Sequence, residues 1–430
     1  MPINPSNMRV VDVARLLNST SFGFVLAQAR LYREFNRVGF RIGSSENPRN
    51  INLLKYIAWM FDRKHTPEET SGARSYEDRR NAERDRQEQS LAGRDIGQLP
   101  EVVNPGRKAA CERNFQLFCE SYFPETYSLA WSPDHLKVIE KIETAVLRGG
   151  LFALALPRGS GKTTITESAA LWSMLYGHRE FVVLIGATES AALELLDSLK
   201  TELEVNERLA EDFPEVCYPV AQLEGIANRC AGQLYKGERT RITWTSNEIV
   251  LPTVEGSRAS GIIVRVAGIT GRIRGMKFKR SDGRNVRPSL VVIDDPQTSE
   301  SAGSLEQTRK RVRVLAGDIL GLAGPGQKIS GIMPCTIIRP GDMADIILNR
   351  NTHPDWNGEK TRMVYRFPTN MKLWEEYAEI RAEALRTEGN FQKATEFYLA
   401  NREAMDAGAE VSWEARFNHD EVSALQHAMN

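Results

Sequence analysis

The stretch that decides the fold is "LFALALPRGSGKTTITESAALW", residues 151–172. It begins as an apolar strand, breaks into a turn with two glycines, and continues with the apolar spacing of a helix. A strand, a glycine turn and a helix in this order direct backbone N–H groups and a helix N-terminus at one point, which favours an anion. The sequence therefore predicts a phosphate-binding loop made of Pro157, Arg158, Gly159, Ser160, Gly161, Lys162, Thr163 and Thr164.

The loop departs from the general phosphate-loop pattern, which has a glycine six positions before its lysine. Leu156 occupies that position here. We expect Lys162 to lie along the β- and γ-phosphates and Thr163 to offer its hydroxyl to Mg²⁺. Arg158 either reaches the γ-phosphate and neutralises charge during the reaction, or forms a salt bridge on the outer face of the loop. The alternative to phosphate binding is a chance glycine turn before a helix.

A second pattern, "RPSLVVIDDPQTSES", ends an apolar strand with two acids, Asp294 and Asp295. Ligands of open α/β sheets bind at the carboxyl ends of the strands, so both side chains are candidates for a site. Asp294 is predicted to hold Mg²⁺, and Asp295 to act as the general base toward an attacking water. The alternative is that the two acids only open a turn before Pro296.

Short apolar strands alternate with helices from about residue 105 to residue 345. Strands rich in Val, Ile and Leu on both faces belong to a sheet covered by helices on each side. The predicted strands are "LFALAL", "FVVLIGAT", "RITWT", "EIVLPTV", "GIIVRVAG", "LVVIDD" and "KISGIMPC". The two strands around "TSNE" are predicted to form a hairpin added to this sheet. The last strand ends at Cys335 and Thr336, which either sense the γ-phosphate or simply close the strand.

The chain of 430 residues is long enough for two or three domains. Residues 1–65 contain three helix-period segments and carry ten Lys and Arg against four Asp and Glu, a net charge of +6. They form either a helix-turn-helix unit that binds DNA through Arg30, Arg33 and Arg37, or a small helical cap. Residues 66–104 are predicted as a charged linker, 105–370 as the domain with the phosphate loop, and 371–430 as a helical segment.

Composition limits the possible partners. Lys and Arg balance Asp and Glu at 56 each, so attraction to nucleic acid depends on local patches. One patch of basic residues contains Arg258, Arg265, Arg272, Arg274, Lys277, Lys279 and Arg280. These residues form either a surface that faces a polyanion or a neighbouring subunit's nucleotide, or a solvated loop. The five scattered cysteines fit neither a zinc site nor a disulfide framework. No apolar run reaches the ~18 residues of a membrane span, so we expect a cytoplasmic protein without a membrane partner.

Taken together, "PRGSGKTT" with its early arginine, "LVVIDDP" and the "MPCT" strand resemble the ATPase domain of the phage terminase large subunit, a DNA-packaging motor. The resemblance covers residues 110–425. That family commonly lacks the leading glycine and has an arginine at the position of Arg158, so the departure noted above matches the family pattern.

The resemblance implies a P-loop NTPase sheet of the additional-strand, recombinase-like type with helices on both faces, plus a small N-terminal helical domain. It implies that Lys162 and Thr163 bind ATP and Mg²⁺ and that Asp294 also binds the metal. Arg158 would act on the γ-phosphate and Asp295 would be the catalytic carboxylate. Thr336 would couple hydrolysis to movement. The family contacts adenine through an upstream segment, usually with a glutamine. The segment "WSPDHLKVIEKIE" takes that place and offers His135 instead.

The implied function is ATP hydrolysis that drives double-stranded DNA into a viral procapsid. Implied partners are a homo-oligomeric ring on a capsid portal and a small terminase subunit, in the bacterial host cytosol. The N-terminal unit resembles the helix-turn-helix domain of a small subunit, fused here. Residues 371–430 resemble the connector toward a nuclease domain that is absent, so we expect no nuclease activity.

Two alternatives belong to other classes of protein. A helicase-like DNA-dependent ATPase normally needs a second recombinase-like domain, for which too few apolar strands follow residue 345. A non-catalytic DNA-binding adaptor with a degenerate nucleotide fold would have lost the loop lysine or the acids, whereas Lys162, Asp294 and Asp295 are present.

Overall fold

The computed structural model describes residues 4–19, 31, 35–36, 42–47, 49–65, 94–271, 273–280 and 282–430, without the side chains of 62–65. The chain divides into two compact units, Met1–Gln89 and Ser90–Asn430. Several predictions fall outside the described residues: those for Arg30, Arg33, Arg37, Arg272 and most of the predicted linker.

The N-terminal unit contains helices α1 (Val10–Asn18) and α2 (Leu53–His65), which lie in the first and third predicted helical segments. Val13, Ile51 and Tyr56 are fully buried between them and form a small core. The second helix of the predicted helix-turn-helix lies mostly outside the described residues, so that interpretation stays a prediction.

The second unit begins within the segment predicted as a linker. Leu234 exchanges backbone hydrogen bonds with this segment, donating to Arg94 O at 2.9 Å and accepting from Ile96 N at 2.9 Å. The Asp95 side chain accepts from Gly237 N at 2.7 Å. These residues are therefore integrated into the second unit.

The helices of the second unit cover a central sheet and make up most of the unit's C-terminal part. Their bounds are α3 (Pro105–Cys111), α4 (Phe115–Tyr122), α5 (Pro133–Leu147), α6 (Lys162–Leu175), α7 (Glu189–Val205), α8 (Glu207–Asp212), α9 (Pro214–Ala221), α10 (Ser299–Ala302), α11 (Leu305–Arg313) with a π-helical extension (Val314–Ile319), α12 (Met343–Ile347), α13 (Met371–Thr387), α14 (Gln392–Ala400), α15 (Arg402–Asp406) and α16 (Ala424–Met429). Two 3₁₀ turns span Ala227–Cys230 and Pro354–Trp356.

The strands of the second unit are β1 (Leu151–Ala155), β2 (Phe181–Gly186), β3 (Leu234–Tyr235), β4 (Glu238–Arg239), β5 (Thr243–Trp244), β6 (Glu248–Val250), β7 (Ile263–Gly268), β8 (Phe278–Lys279), β9 (Asn285–Val286), β10 (Leu290–Asp294), β11 (Ser330–Cys335), β12 (Glu359–Lys360), β13 (Val364–Arg366) and β14 (Glu410–Val411). Eight of them form one sheet in the order β12-β1-β11-β10-β2-β7-β6-β5. Neighbours are parallel from β12 to β7, whereas β6 and β5 are antiparallel additions. Every predicted strand is present, and the β5–β6 hairpin is confirmed.

Helices cover both faces of this sheet, because the strands alternate their side chains between two cores. On β1, Leu154 faces a core built with α4 to α7 and α9, in which Trp172 is fully buried. Its neighbour Ala153 faces the opposite core, which contains Ile319 of the π-helical turn and Met343 of α12. The predicted α/β class with helices on both faces is therefore confirmed as a large mixed sheet flanked by helices.

The C-terminal part of the second unit has its own small core. Trp374, Tyr377, Tyr398 and Met405 are buried there between α13, α14 and α15. The segment predicted as helical also contains β14, which pairs antiparallel with β13.

Candidate functional site

Three neighbouring strands carry the predicted site residues to one edge of the sheet. β11 lies between β1 and β10 and is parallel to both. The loop of residues 156–161, here called the glycine loop, follows β1, and Thr336 follows β11. Because parallel strands end at the same edge, residues far apart in the sequence converge there.

The glycine loop owes its path to two left-handed glycines. Gly159 and Gly161 both have φ of +72°, a conformation that glycine adopts without steric cost. Ser160 turns inward, and its Oγ donates a hydrogen bond to Pro157 O at 2.7 Å. Arg158 points outward, and no described side chain forms an ion pair with it. The salt-bridge alternative for Arg158 has therefore no partner among the described residues.

The start of α6 differs from the starts of the neighbouring helices. Ser132 caps α5 by accepting from His135 N, and Thr188 caps α7 by accepting from Ala191 N. Helix α6 begins after Gly161, and no described side chain caps it. The first N–H groups of a helix have no partner within the helix, so they are left for a ligand here. An anion fits this position.

Two pairs of side chains join the start of α6 to the end of β10. Lys162 Nζ lies 3.1 Å from Asp295 Oδ2. Thr163 Oγ1 lies 3.2 Å and 3.1 Å from the two carboxylate oxygens of Asp294, to which it donates. Thr336 Oγ1 lies 3.5 Å from Asp295 Oδ2, at the outer limit of a hydrogen bond. The structure thus brings these five predicted site residues together.

A left-handed turn at Asp295 makes this convergence possible. Asp295 has φ of +34°, and its N–H donates to Pro334 O of β11 at 3.1 Å. Aspartate is among the few non-glycine residues that accept such a conformation at modest cost. Successive side chains of a strand point to opposite faces, so a straight continuation of β10 would separate the two carboxylates. The turn lets both reach α6.

Burial raises the pKa of two carboxyl groups near the start of α6. Burial, and secondly the charge of Asp295, raise the pKa of Asp294 to about 6. Burial also raises the pKa of Glu167 to about 7, with a further contribution from Asp294. Glu167 follows Thr163 by one helical turn on α6, so it lies on the same side of the helix.

Oxygen ligands of this kind suit Mg²⁺, which is bound in proteins by one or two carboxylates together with substrate phosphates. Thr163 and Asp294 are the residues that fit such an ion. Among the described ranges, no cluster of three or more His, Cys, Asp or Glu side chains offers a complete metal site. A divalent cation here would therefore depend on phosphate oxygens as well.

His135 supports the glycine loop from behind. Its Nδ1 lies 2.9 Å from Ser132 Oγ, and its Nε2 lies 3.0 Å from Ser160 O. A carbonyl oxygen only accepts, so Nε2 carries a proton. Burial lowers the pKa of His135, which favours the neutral ring. Both nitrogens are engaged within the protein and the ring is buried, so the adenine contact of His135 stays a prediction.

Sequence reasoning missed two residues beside the loop, Trp413 and Arg416. The Trp413 ring lies 4.5 Å from the His135 ring, centroid to centroid. Arg416 is so close to the loop that a Cβ atom placed on Gly159 would lie 2.6 Å from its Nη2. No local pattern marks these residues, because the contact depends on how the C-terminal segment packs.

Gln297 is a third missed residue, and it connects the two strand ends. Its Nε2 donates to Thr336 O at 3.0 Å and to Asp342 Oδ2 at 2.8 Å. Its Oε1 accepts from Met343 N at 3.1 Å. This buried amide fixes the loop after β10 relative to the loop after β11.

The basic set between β6 and β10 is largely paired with acids. The pairs are Arg258 with Glu112, Arg265 with Glu248, Arg274 with Asp318, and Arg280 with Glu180 and Asp282. Within the described ranges, Lys277 and Lys279 form no ion pair. Most of the described members of this set are therefore paired within the protein, and a polyanion contact of Lys277 and Lys279 stays a prediction.

The chain matches no protein-family model and no curated protein. Within the described ranges, no helix has both the length and the apolar character that a membrane crossing requires.

Proposed function

We propose that this protein hydrolyses ATP and uses the reaction to translocate double-stranded DNA, as the ATPase of a terminase large subunit does. The observation that carries the proposal is the double pairing of Lys162 with Asp295 and of Thr163 with Asp294. A lysine and a hydroxyl at an uncapped helix start, facing two strand-end carboxylates, form the arrangement that P-loop NTPases use for phosphoryl transfer.

Different groups of the chain have different roles in ATP hydrolysis. Backbone N–H groups of the glycine loop and Lys162 bind the phosphates, and Arg158, which is exposed on the loop, acts on the γ-phosphate once nucleotide is bound. Asp295 accepts a proton from the attacking water, and Thr336 lies beside it on the neighbouring strand. Bound Mg²⁺, held by Thr163 and Asp294, would neutralise phosphate charge.

The order of the strands supports a sheet of the additional-strand, recombinase-like type. β11 lies between the strand that leads into the glycine loop and the strand that ends at Asp294. DNA translocation, the oligomeric ring on a portal, the small terminase subunit and the cytosolic location rest on the resemblance of the three motifs to the terminase family.

Steady-state ATP hydrolysis by the full chain, with and without linear double-stranded DNA, tests the proposal. Wild type is compared with Lys162→Ala and with Lys328→Ala, which removes an exposed lysine before β11 at the opposite edge of the sheet. We expect hydrolysis that DNA stimulates, its loss in Lys162→Ala, and wild-type rates in Lys328→Ala.

Each part of the proposal has its own contrary result. Equal hydrolysis by Lys162→Ala and wild type would refute the site. Hydrolysis that depends on Lys162 but does not respond to DNA would retain the ATPase and refute the motor. Failure of the wild type to bind ATP in the presence of Mg²⁺ would refute both.

A further inference from the structure

The guanidinium of Arg416 lies directly over the glycine loop. A Cβ atom on Gly159 would come within 2.6 Å of Arg416 Nη2 and 3.3 Å of its Cζ. The side chain lines the same pocket as His135, Pro157 and Ser160. Its approach is possible because residue 159 has no side chain of its own.

The neighbouring Trp413 holds this arginine in place. Its Nε1 donates to Ala130 O at 2.6 Å, which attaches the C-terminal segment to the turn before α5. Arg416 N donates in turn to Trp413 O at 3.2 Å. Ser412 N donates to Met363 O at 3.0 Å just before this turn. The backbone that carries Arg416 is therefore held beside the loop's pocket by these contacts.

Arg416 has no acidic partner among the described residues. The acid that influences it electrostatically is Glu421, and the Glu421 carboxylate is already occupied. It accepts from Asn418 N at 2.8 Å and Asn430 Nδ2 at 2.8 Å, and it lies 2.7 Å from His427 Nδ1. Burial lowers the pKa of Arg416, although an arginine remains charged. A half-buried cation without a counter-ion is costly, so an anionic ligand would stabilise it.

We propose that Arg416 is a nucleotide-binding residue whose guanidinium binds the phosphates of a nucleoside triphosphate at the glycine loop, so that bound nucleotide strengthens the existing contact between residues 412–427 and the loop. The inference rests on the proposed function, since it requires a nucleotide at this loop. A planar guanidinium binds phosphate oxygens through two parallel hydrogen bonds, which an ammonium group cannot reproduce. Because coupling is reciprocal, a nucleotide that binds Arg416 holds the C-terminal segment more tightly.

The test is the affinity of the full-length chain for ATPγS with Mg²⁺, measured by calorimetry. The variants are Arg416→Ala, Arg416→Lys, Lys162→Ala and the control Arg366→Ala, which removes an exposed arginine from β13. We expect Arg416→Ala to bind at least about tenfold more weakly, as the loss of a charge-assisted hydrogen bond predicts. Arg416→Lys should recover part of the loss, and Arg366→Ala should bind like wild type.

Hydrogen exchange gives a second readout, and its first comparison needs only the wild type. Backbone amides of residues 412–427 should exchange more slowly in wild type when ATPγS and Mg²⁺ are added, and this protection should vanish in Arg416→Ala. If Arg416→Ala fails to fold, the wild-type exchange and the Arg416→Lys affinity decide the question. Absence of protection in wild type overturns the inference.

The two proposals fail in different ways. Wild-type affinity in Arg416→Ala together with lost binding in Lys162→Ala overturns the role of Arg416 and leaves the proposed function standing. No binding of ATPγS to the wild type overturns both.

Discussion

Lys162 and Asp295 form an ion pair of 3.1 Å that joins the first residue of α6 to the residue after β10. The lysine side chain is 10% exposed and the aspartate side chain 38%, so the carboxylate faces the open side of the site. A phosphate that binds Lys162 would compete with Asp295 for it. Phosphate binding would therefore release the Asp295 carboxylate, which we propose as the general base, from its ion pair.

Asp295→Asn separates binding from catalysis. Asparagine keeps the shape of the side chain and accepts the left-handed backbone at this position, so the fold should be retained. Without the charge, Lys162 is free for phosphate, and ATP binding should stay equal or become tighter. Turnover should fall at least ~100-fold, the usual contribution of a general base. The measurement is ATP hydrolysis beside ATP affinity, with Asp355→Asn, at an exposed position, as the control. Turnover like that of wild type would assign the base to another residue.

Arg158→Ala should affect the reaction and leave the fold unchanged. The side chain is exposed and lacks an ion-pair partner among the described residues, so its removal costs no stabilising contact. A cation that acts on the γ-phosphate contributes ~10³-fold or more to the rate. We expect a loss of that order in kcat with an unchanged melting temperature. Arg148→Ala removes an exposed arginine before β1, at the other end of the same strand, and should have wild-type kcat. A kcat for Arg158→Ala equal to the control would contradict the role.

The parts of the site that follow a local pattern could be predicted from the sequence. β1, the glycine loop and α6 are contiguous, and the acids end an apolar run, so each piece is visible by itself. The left-handed turn at Asp295 could not be predicted, because it depends on the hydrogen bond from its N–H to Pro334 of a neighbouring strand. The uncapped start of α6 could be predicted, since Gly161 has no capping side chain.

Residues that reach the site through tertiary packing left no signal in the sequence. Trp413 and Arg416 lie in a segment predicted only as a helical connector, and nothing in its composition points to β1. Gln297 belongs to a polar stretch typical of a turn, although it is buried between two loops. Glu167 differs from these residues, because its place near the site could have been predicted from the sequence. A residue four positions after Thr163 lies on the same face of the helix.

Asp212 is predicted to be a main structural support beneath the α4 face of the sheet. Its buried carboxylate accepts from Tyr122 OH at 2.7 Å, Arg107 Nε at 2.6 Å and Asn104 N at 3.1 Å. Asp212→Ala leaves the Tyr122 hydroxyl and the Asn104 N–H without their acceptor and leaves the partly buried Arg107 with Glu211 alone, which should cost about 2 to 4 kcal/mol. Glu211 also pairs with Arg107, at 2.6 Å, but is 42% exposed, so Glu211→Ala should cost at most about 1 kcal/mol. Urea unfolding measures both, and equal losses would contradict the distinction.

Glu167→Gln should stabilise the protein in a pH-dependent way. The pKa of Glu167 is raised from 4.5 to about 7, first by burial. Between these values the folded state holds a proton that the unfolded state has released, so the free energy of unfolding falls as pH rises from 4.5 to 7. Glutamine resembles the protonated side chain and lacks this penalty. The free energy of unfolding of Glu167→Gln should therefore exceed that of wild type only slightly at pH 4 and by roughly 3 kcal/mol at most by pH 8.

Urea unfolding of Glu167→Gln at pH 5 and pH 8 measures this difference, and Glu194→Gln, at an exposed position of α7, is the control. A stability difference for Glu167→Gln that is the same at both pH values would show that the carboxyl does not titrate in this range.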